Sequence, residues 1–135
     1  MFLVAMTGCG GTDNGPTKEE ITGTWNASKV EYVSPTSQQS FDVVATGGTG
    51  VLVLSSDGTF QFVVTPAGEQ AETISGTWQL GGQIMTITRT GSSGTWEFET
   101  QLSGNTLTMS GANVEFDFND DGTDEPAKLN LTFTR

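Results

Sequence analysis

Oxygen-bearing side chains are concentrated in one stretch of the sequence, from Asp117 to Glu125. Carboxylate, amide and hydroxyl groups alternate there around a glycine, and five of these nine residues are acidic. Calcium takes roughly six to eight oxygen ligands, so a loop of this composition is a candidate calcium site. The candidate ligands are Asp117, Asn119, Asp121, Thr123 and Glu125.

The spacing of these ligands follows an EF-hand loop only in part. The last position of such a loop is a bidentate glutamate, and here it is Lys128. We therefore expect no EF-hand, and two interpretations stay open. The loop is either a calcium site between two strands or a plain turn, because Asp, Asn and Gly tolerate left-handed backbone and bond to their own neighbours.

Catalytic chemistry is restricted by the residues that the sequence lacks. It has no histidine and one cysteine, which excludes Ser-His-Asp and Cys-His systems and any internal disulfide. The net charge of -11 repels phosphate backbones and excludes nucleic acid as a partner. A hydrolase would need paired carboxylates such as Glu97 with Glu99, or Glu69 with Glu72. We expect these pairs to face solvent, and we expect no enzyme.

The single cysteine stands in the stretch Met6-Thr7-Gly8-Cys9, which resembles a bacterial lipobox. The resemblance implies that residues 1–8 are the C-terminal part of a lipoprotein signal peptide and that Cys9 carries the lipid. Signal peptides begin with a basic region, yet no Lys or Arg precedes Lys18. We therefore expect that a few residues upstream of the recorded start are missing. The alternative is an incidental free thiol.

After Cys9, residues 10–20 are small or polar and include no large apolar side chain. This composition predicts that residues 9–20, with the lipid on Cys9, form a flexible tether. In enteric bacteria, an aspartate directly after the lipidated cysteine retains a lipoprotein at the inner membrane. Gly10 stands at that position, so the resemblance implies the outer membrane. No later stretch approaches the ~20 apolar residues of a spanning helix. The expected membrane partner is thus reached through lipid alone.

From residue 21 onward, apolar and polar residues alternate with a period of two, as in Phe60, Phe62 and Val64. Turn signals such as Asp57-Gly58 and Asp121-Gly122 separate these runs. The pattern predicts one all-β domain over residues 21–135, an antiparallel meander of eight to ten strands. A closed up-and-down barrel is favoured over a sandwich because closure removes unpaired edges.

The tripeptide Gly-Thr-Trp occurs three times, at residues 23–25, 76–78 and 94–96. The first copy resembles the Gly-x-Trp signature of lipocalins. Its order before Asp57-Gly-Thr-Phe60 and the second Gly-Thr-Trp resembles the bacterial lipocalin-like domains of small envelope lipoproteins. The resemblance implies a barrel with a cup for a small apolar ligand. It also implies that Trp25 closes one end of the barrel beneath Arg135 of the last strand.

Aromatic side chains are expected either to line this cup or to fill it as core, and both alternatives stay open. They are Trp25, Phe60, Phe62, Trp78, Trp96, Phe98 and Phe116. The predicted function is non-catalytic binding of a small apolar ligand or of an envelope component by a monomer. The alternatives are a calcium-stabilised β-domain for adhesion or assembly, and a hydrolase that uses paired carboxylates.

Overall fold

The computed structural model describes residues 16–92 and 94–135. These residues form a single antiparallel sheet preceded by one short helix. The elements are α1 (Lys18–Ile21), β1 (Gly23–Val33), β2 (Ser40–Asp42), β3 (Thr49–Leu54), β4 (Thr59–Thr65), β5 (Glu72–Gly81), β6 (Ile84–Arg89), β7 (Thr95–Ser103), β8 (Thr106–Phe116) and β9 (Glu125–Thr134).

Eight of the strands close into a barrel in the order β1, β3, β4, β5, β6, β7, β8, β9. Closure comes from β9, which pairs with β1 from Lys128 opposite Val33 to Thr134 opposite Asn26. The predicted up-and-down barrel of eight to ten strands is confirmed, with β2 as a ninth strand.

The ninth strand lies on the same edge of β1 as β3. Its three residues pair with residues 31–33 of β1, whereas β3 pairs with residues 23–26 of the same strand. Both strands are antiparallel to β1, so they amount to one strand interrupted by residues 43–48. The Asp42 carboxylate holds this interruption together, because it accepts hydrogen bonds from the backbone N–H groups of Val30 (3.1 Å) and Val44 (3.0 Å).

The core fills the inside of the barrel. Phe60, Phe62 and Val64 of β4 are buried, while Gln61 between them is exposed, as the period of two requires. Each of the remaining seven strands of the barrel also contributes buried, inward-facing residues. Among them, Phe98 of β7 and Phe133 of β9 are fully buried.

The helix α1 begins inside the segment that the sequence predicted as a tether. Thr17 and Glu20 form a reciprocal capping box, in which each side chain accepts a hydrogen bond from the backbone N–H of the other residue. Ile21 at its end is fully buried and covers one end of the barrel. Ordered structure therefore starts before residue 21. The predicted signal-peptide segment, Cys9 and the tether up to residue 15 lie outside the described residues.

No helix within the described part of the chain is both long and apolar enough to span a membrane.

Trp25 lies at the end of the barrel covered by α1 and is fully buried. Its indole Nε1 donates to the carbonyl of Ile21 at 2.9 Å. The guanidinium carbon of Arg135 lies 4.1 Å from the Trp25 ring centroid. Arg135 also donates to the carbonyls of Thr22 and Glu20. This arginine thus joins the last strand, the first strand and the helix, at the end we call the closed end.

Two hairpins of the barrel repeat the same geometry. In the β5–β6 hairpin Gly81 pairs with Ile84, and in the β7–β8 hairpin Ser103 pairs with Thr106. Gly82 and Gly104 occupy the equivalent turn position with φ of 61° and 59°. Such left-handed backbone favours glycine at this position.

Gly76, from the second Gly-Thr-Trp, is predicted to tolerate no side chain. Its φ is +155°, and a Cβ would lie 2.0 Å from the Thr88 carbonyl oxygen of the paired strand. Gly76→Ala should lower the free energy of unfolding by about 2–3 kcal/mol, because backbone strain and overlap both add. Urea unfolding followed by tryptophan fluorescence measures the loss.

The matched control is Gly81→Ala on the same strand. A Cβ there has no heavy atom within 4 Å, and its φ carries no left-handed requirement. This variant should stay within about 0.5 kcal/mol of the parent. Equal losses for the two variants would contradict the argument from Gly76.

Arg135→Ala should destabilise the closed end by about 1–2 kcal/mol, since it removes the contact with Trp25 and the hydrogen bonds to two carbonyls. Arg135→Lys should recover only part of the loss, because an ammonium lacks the planar fork. Lys128→Ala, an equal change of charge on the same strand, is the control in the same urea titration. A loss no larger than that of Lys128→Ala would contradict this role of Arg135.

Candidate functional site

A cavity lies at the end of the barrel opposite α1, which we call the mouth. Its volume is about 590 Å³. Because the strands alternate in direction, the end of β1, the start of β5 and the end of β6 all reach this end. They place Tyr32, Ile74 and Arg89 in the cavity wall, and the neighbouring strands add Trp96 and Val114. Apolar walls with a few polar groups are typical of small-molecule sites.

Stacked aromatic rings form one side of the mouth. Tyr32 stacks on Phe116 with ring centroids 4.4 Å apart, and Phe41 stacks near the same ring at 5.5 Å. Phe118 approaches Phe116 edge-on at 5.0 Å. Both the short strand β2 and the start of the acidic loop are thereby packed against the mouth.

Arg89 lies on the other side of the mouth, with its guanidinium carbon 4.4 Å from the centroid of the Trp96 ring. Its Nη2 donates to Ser92 Oγ at 3.1 Å. Its Nε is buried and has no hydrogen-bond acceptor among the residues that the structure describes. Leaving a buried donor unpaired costs about 1–3 kcal/mol, so this arginine is not placed for stability alone.

Tyr32 supplies a neutral hydroxyl to the same cavity. Burial raises the pKa of this phenol above its ordinary value, and the negative charge of Glu72 raises it further. The hydroxyl therefore stays protonated at neutral pH and remains able to donate a hydrogen bond.

The seven aromatic residues singled out in the sequence are divided between the mouth and the filled interior of the barrel. Trp96 and Phe116 are half-buried and lie at the mouth. The others are at most 4% exposed and fill the barrel as core: Trp25, Phe60, Phe62, Trp78 and Phe98. The cup is consequently shallow, with its depth limited by the filled interior.

The acidic loop connects β8 to β9 at the mouth and brings three of its five candidate ligands together. Oxygens of Asp117, Asp121 and Glu125 lie within 4.8 Å of one another. The three carboxylates also accept hydrogen bonds from backbone N–H groups of the loop. The cluster thus organises the turn, and it offers a cation three charged ligands.

The carboxylate pairs considered for hydrolysis lie on the surface. Glu97 and Glu99 are exposed on the outer face of β7, on either side of the buried Phe98. Glu69 and Glu72 are also exposed, in the loop before β5 and at its first residue, at the mouth end of the barrel.

Arg89, Tyr32, Ile74 and Val114 were missed as site residues in the sequence. A signal for Arg89 is present, because Met85, Ile87 and Arg89 share one face of β6 and the first two are buried. A charged residue in an inward position at the end of such a strand indicates a mouth residue. The other three residues carry no chemical signal of this kind.

Comparison with curated proteins gives no match. The family model of the lipocalin-like domain matches residues 21–109, about two thirds of the chain, from the end of α1 to the middle of β8. The matched segment includes the closed-end tryptophan Trp25 and the mouth residues Arg89 and Trp96. Together with the closed eight-stranded barrel, this match shows that the chain belongs to the lipocalin-like domain family.

Proposed function

We propose that this protein is a lipid-anchored lipoprotein of the bacterial cell envelope whose barrel mouth binds a small, partly apolar ligand without catalysis. The lipocalin-like barrel is a fold suited to binding. The observation that carries the proposal is the cavity of about 590 Å³ at the mouth. Its size lies within the range of roughly 300–1,000 Å³ typical of small-molecule sites.

The walls of the cavity determine what kind of ligand is accommodated. Ile74, Trp96 and Val114 offer apolar surface, while the Tyr32 hydroxyl and the Arg89 guanidinium offer donors. The barrel below is filled by core residues such as Phe98, so the ligand lies across the mouth and does not descend into the barrel. A compact molecule fits this space better than a long acyl chain.

Attachment to the membrane is proposed from the lipobox-like sequence that ends at Cys9. The lipid on this cysteine would hold the barrel near the membrane, with Gly10 favouring the outer membrane. Residues 16–20 lead directly into the closed end, since α1 packs there. The anchor therefore enters at the closed end, and the mouth lies at the far end of the barrel.

Native mass spectrometry of the protein purified from bacterial membranes tests both parts of the proposal. The wild type should carry a lipid mass that Cys9→Ala lacks, and it should retain a small molecule. Ile74→Trp should lose this molecule, because the larger side chain occupies the mouth. Ile84→Trp is the control, since Ile84 is 43% exposed outside the cavity and its substitution should change nothing.

Two results would contradict the proposal. Masses of the wild type and Cys9→Ala that differ by the sulfur atom alone would remove the lipid anchor. Retention of the small molecule by Ile74→Trp to the same extent as by Ile84→Trp, or its absence from the wild type, would remove binding at the mouth.

A second proposal concerns the acidic loop, which we propose binds calcium through Asp117, Asp121 and Glu125. Its support is the convergence of these carboxylate oxygens within 4.8 Å. Water and loop carbonyls would have to complete the shell of roughly six to eight oxygens. In this alternative the protein is a calcium-stabilised β-domain for adhesion or assembly, and the loop at the mouth is the contact surface.

Calcium at 5 mM is expected to raise the Tm of the wild type by about 3–6 °C relative to EDTA, if the affinity resembles that of extracellular calcium modules. Asp121→Asn should abolish the shift, because it removes a charged ligand and keeps the acceptor for the Thr123 N–H. Glu99→Gln, outside the loop, should retain it. Identical melting curves in calcium and EDTA would dismiss the calcium site, and an equal shift with magnesium would reduce it to charge screening.

A further inference from the structure

Arg89 is distinguished by how few partners its charge has. Within residues 16–92 and 94–135, its side chain makes one hydrogen bond, to Ser92, and no ion pair. Its Nε is buried without an acceptor. The guanidinium nevertheless lies in the wall of the cavity at the mouth. The half-buried positive charge thus forms no ion pair among the described residues, although Glu115 and Asp124 line the same cavity.

The other four cations of the chain are differently placed. Lys29 forms an ion pair with Glu31, and Lys128 donates to Asn113. Arg135 donates to two backbone carbonyls at the closed end. Lys18 is exposed, and its Nζ lies 5.6 Å from the centroid of the Trp78 ring. Arg89 alone among the five lines the cavity at the mouth.

The guanidinium carbon lies 4.4 Å from the centroid of the Trp96 ring, Nη2 donates to Ser92 and Nε is buried. The N–H groups of Nη1 make no hydrogen bond within the described residues, so one edge of the planar group keeps free donors. A carboxylate matches this edge, because its two oxygens accept two parallel hydrogen bonds from one guanidinium. A small rotation of the side chain toward such a group would also give Nε the acceptor that it lacks.

Acidic residues at the rim limit the charge of the ligand. Glu115 and Asp124 also line the cavity, and both are exposed. Their charges stand in water, where salt screens them over about 10 Å at 0.1 M, whereas the half-buried Arg89 is screened less. Repulsion from the rim and from the net charge of -11 grows with the charge of the ligand, which disfavours phosphates and polyanions.

We infer that the mouth binds a monoanionic amphiphile, a carboxylic acid whose carboxylate accepts hydrogen bonds from Arg89 and whose apolar body rests on Ile74, Trp96 and Val114. This inference rests on the proposed function, because it specifies the ligand of the same cavity. The Tyr32 hydroxyl in the same wall is a second donor for the acid group.

The test compares three eight-carbon probes by calorimetric titration at pH 8: octanoate, octanol and octylammonium. Their apolar bodies are alike, and only the charge of the head differs. The wild type should bind octanoate at least about tenfold more tightly than octanol, as charge-assisted hydrogen bonds require. Octylammonium should bind no better than octanol.

Arg89→Gln should remove the preference for octanoate and leave the affinity for octanol within about twofold. Lys29→Gln is the matched control, because it removes the same charge from a side chain paired with Glu31 on β1, away from the cavity lining. It should retain the preference. Arg89→Lys should show an intermediate preference, since it keeps the charge and loses the fork.

Each remaining outcome overturns the inference. Equal binding of octanoate and octanol by the wild type would do so without any variant, and the proposed binding at the mouth would survive. A preference for octylammonium would show that Glu115 and Asp124 select the ligand. Retention of the octanoate preference by Arg89→Gln would place the anion elsewhere. Failure of all three probes to bind would remove the inference, and native mass spectrometry would decide separately whether the proposed function falls with it.

Discussion

The structure depends on the pairing of its first and last strands. β1 bonds to β9 along one edge, and to β2 and β3 along the other, which is why it must be eleven residues long. Pairing with β9 removes both free margins of an otherwise open eight-stranded sheet. Once the margins meet, one face of every strand is sequestered from water, and a chain of modest hydrophobic content can assemble a continuous core. Arg135 and Trp25 reinforce this pairing at the point where β9 ends.

The three tryptophans of the Gly-Thr-Trp repeats share a second feature, because each has a cation over its ring. Arg135 lies over Trp25, Lys18 over Trp78 and Arg89 over Trp96. Three of the five cations of the chain therefore lie over indole rings. The consequence differs between the ends of the barrel. At the closed end Arg135 donates hydrogen bonds to two backbone carbonyls, whereas at the mouth the Nε of Arg89 has no acceptor among the described residues.

The sequence was sufficient to predict the strands, because period-two patterns and Asp-Gly turns are local signals. The barrel followed from the problem of free edges. The helix α1 was missed although Thr17-x-x-Glu20 is a capping-box signal, since four residues are too few for helical periodicity. For the site, Trp96 and Phe116, two of the aromatic residues expected to line or fill the barrel, lie at the mouth. The alternation did not separate lining from filling aromatics, because that depends on how far along the barrel each one lies.

Two β-bulges change which residues of β1 and β8 face inward, and the period-two pattern of the sequence does not predict where such bulges lie. In β1, Trp25 and Ala27 share the inner face with Val30 and Tyr32, because Ser28 is an extra residue opposite β9 and reverses the parity of the strand. In β8 two residues, Ser110 and Gly111, stand opposite Asn130, and the inner face changes from odd to even residues above them.

Both bulges flank β9, and the mouth residues Tyr32 and Val114 lie between them and the open end of the barrel. Without the bulge in β1, Tyr32 would face solvent; without the bulge in β8, Val114 and Phe116 would do the same. Gly111 fits the second bulge because its φ is +87°, and its N–H is bonded to the side chain of Asn130 across the strands. The cavity therefore owes part of its lining to residues that are not in its wall, because the two bulges decide which side chains of β1 and β8 face the mouth.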